Sequence, residues 1–205
     1  MPTAETPSSA GDMPVSSRVG ATATTRVRSR RGMRWRKTLI AAAAVFVMFC
    51  TMSGRLFIWP PEGMPPRVEA VVMLDGPGGT SLNVAVRLAT QHRALFLVVS
   101  RGTVASHDPC PRPVPGVTLI CFNPMPATTQ GEVEYVGRLA KKYHWHSVAL
   151  VAITPQVSRA KLRMERCFPG QVYVVTAPIR PSTWPYQIAY EWAALLKALV
   201  VQGSC

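Results

Sequence analysis

Apolar and polar positions along this chain form blocks of different length, and the longest apolar block comes first. It begins at Thr38 and reaches Gly54 without a charged residue. At a rise of about 1.5 Å per residue, the block nearly matches the ~30 Å hydrocarbon core of a bilayer. Extension to Trp59, with the Arg55 side chain reaching the headgroups, completes the length. The pattern predicts a transmembrane helix over residues 38–59.

After residue 67 the apolar blocks become short and alternate with segments of helical periodicity. Strands that are apolar on both faces and alternate with helices are typical of a parallel sheet covered on both sides. We therefore expect an α/β fold: a Rossmann-like, doubly wound, mainly parallel sheet of about five strands, preceded by one N-terminal transmembrane helix. The predicted strands are 68–74, 94–99, 116–122, 147–154 and 171–175, and the predicted helices are 81–90, 130–143, 156–167 and 186–201.

Composition divides the chain into four parts. Residues 1–37 are rich in small and polar residues and in cations, which predicts a disordered, basic cytoplasmic tail. The anchor, 38–59, is followed by a proline-rich linker, 60–67, which we expect to be extended and to lift the domain 68–205 off the bilayer. The apolar run exceeds a usual signal sequence and lacks a clear cleavage site, so an uncleaved anchor is favoured.

Cations concentrated on one side of the apolar run predict the orientation of the chain. Of 23 Lys and Arg residues, eight precede the run. Such flanks stay in the cytoplasm, so we expect a single-pass plasma-membrane protein with a cytoplasmic N-terminus and an extracytoplasmic C-terminal domain. The remaining cations are scattered, without a stripe or a nucleic-acid-binding motif. The net charge of +13 therefore indicates a membrane partner, the lipid bilayer, and no nucleic acid.

Cysteine positions fit an exported domain. Cys50 lies in the apolar run, whereas Cys110, Cys121, Cys167 and Cys205 follow it. An even number of cysteines in an oxidising compartment favours disulfides. Cys110 and Cys121 flank a proline-rich turn, and a bridge between them would contribute about 3 kcal/mol. A bridge between the other two stays open, as does the alternative that all four are reduced.

Polar and glycine residues follow several predicted strands, where a doubly wound sheet binds its ligands. They form five groups: a glycine-rich turn, the end of the second strand, the start of the second helix, the start of the third helix, and one acid on the last helix. The candidate ligand-binding and catalytic residues in these groups are Asp75, Gly76, Gly78, Gly79, Ser100, Thr128, Thr129, Glu132, Gln156, Arg159 and Glu191.

This set, in this order, resembles the YdcF/SanA/ElyC-like family of bacterial envelope proteins over residues 68–200. The turn 75–79 stands where the family has a glycine-rich turn, and residues 100–102 match its Ser-Gly-Gly turn. Residues 128–132 match an Asn-Thr followed by an acid, with Thr128 replacing the asparagine. Residues 191–192 match a Glu-Trp pair. The resemblance implies an extracytoplasmic, membrane-anchored domain with a role in envelope or peptidoglycan biogenesis.

One departure from the family bears on catalysis. Alignment on Arg159 places Gln156 where the family has histidine, and glutamine cannot exchange protons near neutral pH. A catalytic protein would have to use Asp75 and Glu132 as acid and base. Alternatively, Asp75 caps its turn, Glu132 completes a capping box with Thr129, and the glycines serve only the turn.

Arg159 opens a helix, where a cation opposes the helix dipole, so we expect an anion nearby. That anion is either a bound phosphate or carboxylate or the side chain of Glu132 or Glu191. We expect the ligand to be an anionic glycan or a lipid-linked envelope precursor. A non-enzymatic scaffold or binding module and a hydrolase or transferase are the alternatives.

We expect no cofactor and no metal site. A dinucleotide-binding G-x-G-x-x-G is missing after the first strand, and the pair His144 and His146 lacks a third ligand in the sequence. Aromatic residues on the last helix remain open to two interpretations: they stack on sugar rings, or they pack the helix and lie at the membrane interface.

Overall fold

The computed structural model describes residues 30–63, 65, 67–76, 80–102, 109–203 and 205, with side chains from Trp35 onward. The chain divides into two compact units, residues 1–42 and 43–205. The described part of the first unit, residues 30–42, is helical, and its side chains from Trp35 onward are exposed. The glycines at 78 and 79 lie outside the described residues.

The second unit is built on a five-stranded sheet in which every neighbouring pair is parallel. Its strand order is β3-β2-β1-β4-β5, and the predicted α/β fold class is confirmed. The strands are β1 (Val68–Met73), β2 (Ala94–Ser100), β3 (Thr118–Phe122), β4 (Ser147–Ile153) and β5 (Gln171–Ala177). The helices are α1 (Arg30–Ser53), α2 (Thr80–Thr90), α3 (Thr129–Tyr143), α4 (Val157–Cys167) and α5 (Trp184–Val200).

Helices cover both faces of the sheet because the central strands are apolar on both sides. Val72 of β1 faces a core formed with α3 and α4, whereas Val71 faces a core formed with α2. Both side chains are fully buried. Consecutive buried valines are what a sheet sandwiched between helices requires. The connection from β2 to β3 has no helix in its described residues, 101–102 and 109–117.

β1 and β4 lie side by side in the sheet, and the direction in which successive strands are added reverses between them. β1 is followed by a crossover to β2 on one side, whereas β4 is followed by a crossover to β5 on the other. Loops that leave two such strands in opposite directions open a crevice at their carboxyl ends. This crevice positions the candidate site.

One helix among the described residues is long and apolar enough to cross a membrane, Trp35–Ile58. Its last residues, 54–58, form a short π-helix in which Phe57 is fully buried. Phe49 and Phe57 each contact the Trp192 ring of α5, with ring centroids 5.3 Å apart in both pairs. The Trp192 Nε1–H donates a hydrogen bond to Ser53 Oγ at 3.0 Å.

The proline-rich segment after this helix forms hydrogen bonds to the domain through its described residues. The Gly63 N–H donates to the carbonyl of Val174 at 3.3 Å, and the Glu62 carboxylate accepts from the Thr176 N–H at 3.2 Å. Both partners belong to the edge strand β5. The described residues 62 and 63 of the predicted linker thus hydrogen-bond along this strand, and its role in lifting the domain off the bilayer stays a prediction.

Two disulfides are present. The predicted bridge Cys110–Cys121 is confirmed, and Cys167–Cys205 forms the second. The second bridge holds the C-terminal residues beside the end of α4, with a Cα–Cα distance of 4.9 Å. Cys50 is an exposed free cysteine.

Candidate functional site: a cleft at the strand carboxyl ends

A cleft of about 740 Å³ opens at the carboxyl ends of the strands. Residues of the segments that follow β1, β2, β3 and β4 line it, together with residues of α5 and the C-terminal Gln202. Its charged lining residues are Asp75, Arg101, Glu132, Arg159, Arg163, Glu191 and Lys197. Acids and cations are thus mixed along one surface, which allows both ion pairing and ligand recognition.

Glu132 is a deeply buried acid that lines the cleft, with 3% of its surface exposed. Its Oε1 accepts a hydrogen bond from the Asp75 backbone N–H at 2.8 Å. Burial raises the pKa of Glu132 to about 7, although hydrogen bonds from the Ser100 hydroxyl and the Asp75 N–H favour its charged form. At neutral pH this carboxyl therefore exists in comparable amounts as acid and as base.

The capping-box prediction for Thr129 and Glu132 is wrong. Thr128 is the N-cap of α3, and its side chain accepts from the Gly131 N–H at 3.3 Å. The helix thus begins one residue earlier than expected. Glu132 is therefore its fourth residue, whereas a capping box uses the side chain of the third residue to reach back to the N-cap backbone N–H. Its carboxylate turns toward the sheet and binds the end of β1 instead.

Gly102 lets the loop after β2 approach Asp75 closely. Its φ is +66°, and a Cβ added at this position would lie 2.0 Å from Asp75 Oδ2. A side chain at 102 would therefore face both an unfavourable backbone conformation and a direct clash. The Gly102 N–H also donates to Ser100 Oγ at 3.3 Å, which links this loop to the hydroxyl that binds Glu132.

Arg159 and Glu191 form a buried ion pair across the cleft. The Arg159 Nε donates to Glu191 Oε2 at 2.6 Å, and its Nη2 donates to Oε1 at 2.8 Å. Burial disfavours the charge on Arg159, but the hydrogen bonds and charge of Glu191 outweigh it, so the pKa of Arg159 is raised. Of the alternatives left open by the sequence, Glu191 supplies the anion near this helix start.

Gln156 contributes an unsatisfied acceptor to the cleft. It is 4% exposed, and its Nε2 donates to Thr129 Oγ1 at 3.2 Å. Its Oε1 is buried and has no hydrogen-bond partner among the residues that the structure describes. A buried acceptor without a partner is unfavourable, and a ligand donor would satisfy it. Gln156 therefore presents a hydrogen-bond acceptor to the cleft and no proton-exchanging group.

Arg163 is a buried cation without a carboxylate partner among the described residues. It lies one turn after Arg159 on α4 and is 6% exposed. Its Nη2 donates to the amide oxygen of Gln202, whereas its Nε is buried without a partner. Burial, followed by the charges of Arg159 and Arg166, lowers the pKa of Arg163. These effects disfavour the positive charge that the side chain carries, and the negative charge of Glu134 offsets them only in part.

Most of the sequence-predicted residues surround one cleft. Asp75, Gly76, Thr128, Thr129, Glu132, Gln156, Arg159 and Glu191 line it. Ser100 is fully buried beneath them and contacts Glu132. The predicted glycines at 78 and 79 lie outside the described residues, so their placement stays untested.

Sequence reasoning missed two kinds of residue. It missed Arg163, although this residue stands four residues after Arg159 and so shares its helix face. It also missed cleft residues of α5 and the C-terminal segment, such as Lys197 and Gln202. No local motif marks these, because only the packing of α5 against α4 places them in the cleft.

Comparison with known proteins adds no relative: no family model matches the chain, and no curated protein matches it. The resemblance to the YdcF-like family thus rests on the motifs alone. Within the part of the chain that the structure describes, no three His, Cys, Asp or Glu residues are grouped closely enough to hold a metal ion.

Proposed function

We propose that this protein is a membrane-anchored, extracytoplasmic, YdcF-like domain that acts in cell-envelope biogenesis by binding an anionic glycan ligand in the cleft. The observation that carries the proposal is Arg163, a buried cation that lines the cleft and that, within the described part of the chain, hydrogen-bonds only to a neutral amide. A buried charge without a counter-charge is costly. A phosphate or carboxylate bound beside it would remove that cost.

The other charges of the cleft also favour an anion. Arg159 and Glu191 neutralise each other, and Glu132 is only partly charged near neutral pH. The remaining charged residues that line the cleft are Asp75, Arg101, Arg163 and Lys197, so cations outnumber acids among them. Arginine is well suited to phosphate and carboxylate, because its planar fork donates two parallel hydrogen bonds. The binding role that the sequence suggested for Arg159 thus moves one helical turn to Arg163.

A sugar fits the remaining polar groups. The unpartnered Gln156 Oε1 requires a donor, which a hydroxyl supplies. Tyr186 and Tyr190 line the same cleft with exposed rings whose centroids are 6.2 Å apart. Aromatic faces of this kind bind the apolar faces of sugar rings. A ligand that combines an anionic group with hydroxyls, such as a phosphorylated or carboxylated glycan precursor, would use all three features.

The proposed location rests on the apolar helix and the disulfides. Trp35–Ile58 has the length and composition of a membrane span, and cations precede it. Two disulfides follow it, which fits an oxidising compartment. We therefore place the N-terminus in the cytoplasm and the domain outside the plasma membrane.

The binding proposal is tested by titrating the full chain, in detergent micelles, with glucose 1-phosphate and with glucose. We expect saturable binding of the phosphate and much weaker binding of the neutral sugar. Arg163→Gln should weaken phosphate binding at least about tenfold, the scale of one charged hydrogen bond. Lys161→Gln is the matched control, because it removes a cation from the same helix outside the cleft.

Equal affinities of Arg163→Gln and Lys161→Gln would contradict the proposal, as would equal binding of glucose and its phosphate. In cells, Arg163→Gln should reproduce the envelope sensitivity caused by deleting the protein, and Lys161→Gln should not. A scaffold role would instead leave both variants with normal envelope function.

A second candidate function, acid–base catalysis on the bound glycan, is favoured by Glu132. A carboxyl with a pKa of about 7 can donate or accept a proton at neutral pH. Asp75 lies beside it, joined through its backbone N–H, and both line the cleft. This arrangement would suit a hydrolase or transferase. Incubating the full chain with phosphorylated glycan precursors separates the two functions: turnover that is lost in Glu132→Gln indicates an enzyme, and binding without turnover indicates a binding module.

A further inference from the structure

One face of α5 is apolar and exposed, and it does not belong to the cleft. We call it the outer face of α5 and define it by Trp192, Leu196, Leu199 and Val200. Positions 192, 196 and 199 are spaced as on one side of a helix. Leu196 is 54% exposed, Leu199 51% and Val200 81%, whereas the cleft is lined by Gln187, Glu191 and Ala194 from another side of the same helix.

The outer face of α5 is continuous with the apolar helix. Trp192, its first residue, stacks on Phe49 and meets Phe57 edge-on. Its indole N–H also binds Ser53. These three partners lie on the last turns of the candidate membrane span, Trp35–Ile58. The exposed leucines therefore begin one turn away from a surface that already contacts the anchor.

The depth of this contact locates α5 relative to the bilayer. Phe49 precedes the end of the span, Ile58, by nine residues. At about 1.5 Å per residue, the ring contact with Trp192 lies roughly 13 Å before the end of the apolar segment. If the bilayer covers the apolar segment to its end, Trp192 and the side chains beside it lie within the lipid layer.

The composition of α5 agrees with such a position. From Trp192 to Val201 the chain has no acid and a single cation, Lys197. Helices that lie in the interfacial plane bury an apolar face about 5–10 Å into the headgroup and acyl boundary, with cations near the headgroups. Trp59, which is 69% exposed at the end of the span, is the residue type that marks the same layer.

We propose that the outer face of α5 lies in the bilayer interface as a second membrane contact of the domain. The partner is the lipid surface of the membrane in which α1 is anchored. The exposed leucines and valine would enter the acyl boundary, while the cleft side of the helix faces away from it. This inference rests on the proposed membrane anchoring, but it is independent of the ligand in the cleft.

The test places spin labels on the full chain reconstituted in phosphatidylcholine and phosphatidylglycerol vesicles. Cys50→Ser removes the free cysteine, and single labels are then attached through Leu199→Cys, Val45→Cys and Lys141→Cys. A spin label in lipid collides frequently with dissolved oxygen, whereas a spin label in water collides frequently with a water-soluble nickel chelate. Val45, in the apolar helix, is the lipid reference, and Lys141, exposed on α3, is the water reference.

We expect the ratio of oxygen collisions to nickel collisions for the label at Leu199 to be several-fold higher than for the label at Lys141. It should approach the ratio for the label at Val45. A Leu199 ratio equal to that of Lys141, with Val45 reading as lipid, would overturn the inference and leave the anchor intact. If Val45 also reads as water, the anchor proposal fails first. Dipolar broadening between Leu199 labels at low protein density would mean that a second copy covers this face, which also overturns the inference.

An added cysteine could pair with the native ones, so a second measurement avoids it. The variant Leu199→p-benzoylphenylalanine is irradiated in the same vesicles, and its products are identified by mass spectrometry. Adducts with phospholipid support the inference. Adducts with the protein alone overturn it.

Discussion

Replacing Glu132 with glutamine should remove a specific dependence of stability on pH. In the folded protein burial raises the pKa of Glu132 to about 7, whereas the unfolded chain has an ordinary value of 4.5. Between these values the folded protein keeps the proton that the unfolded chain releases. The stability contributed by this group is therefore complete below pH 4.5 and is lost as the pH rises through 7.

The magnitude follows from the width of that window. Each pH unit within it lowers the free energy of unfolding by about 1.4 kcal/mol, so the total between about pH 5 and about pH 8 is on the order of 2 to 3 kcal/mol. Glu132→Gln has no proton to exchange, and its amide oxygen can still accept from the Asp75 N–H. The variant should match the wild type near pH 5 and become relatively more stable as the pH rises.

The measurement is guanidinium unfolding of the full chain in detergent, with disulfides intact, followed by tryptophan fluorescence over this pH range. The difference in the free energy of unfolding between wild type and Glu132→Gln isolates the contribution of Glu132, because the other ionisable groups are common to both proteins and their contributions cancel. Glu134→Gln is the control: it removes a carboxylate from the same helix that is not fully buried and bonds Gln130. A difference that stays constant with pH would refute the reasoning, since the buried carboxyl would then have an ordinary pKa.

Three further substitutions probe the structure around the site. Gly102→Ala should cost clearly more than Gly116→Ala in the free energy of unfolding: both have positive φ, which alone costs about 1 kcal/mol, but only at 102 would the new Cβ meet a carboxylate at 2.0 Å. Equal losses would contradict this. Glu191→Gln, which leaves Arg159 buried without its counter-charge, should destabilise by about 3 to 5 kcal/mol in chemical denaturation, and a loss below about 1 kcal/mol would show that the pair is solvated. Cys121→Ser opens a disulfide of sequence separation 11 and should cost about 3 kcal/mol relative to the oxidised wild type, and an unchanged free energy of unfolding would contradict this.

Local patterns were sufficient to predict the sheet, the span and one disulfide. The valine runs of β1 and β4 are apolar at consecutive positions. This local pattern by itself identifies a strand that is buried on both faces. The Cys110–Cys121 bridge joins residues flanking a single turn, so the chain itself brings them close. In contrast, Cys167–Cys205 depends on where the chain after α5 returns to α4, which no short pattern specifies.

The position of the cleft was also predictable, because the carboxyl ends of parallel strands share one edge of a sheet. The roles of its side chains were not. Glu132 was interpreted as a local cap, but it bonds the backbone of a residue 57 positions earlier, and burial at that contact shifts its pKa. Arg159 pairs with an acid 32 residues later, which leaves Arg163 as the buried cation without a carboxylate partner among the described residues. Hydrogen-bond partners, burial and counter-charges are properties of distant segments packed together, so they emerge only when the helices are placed on the sheet.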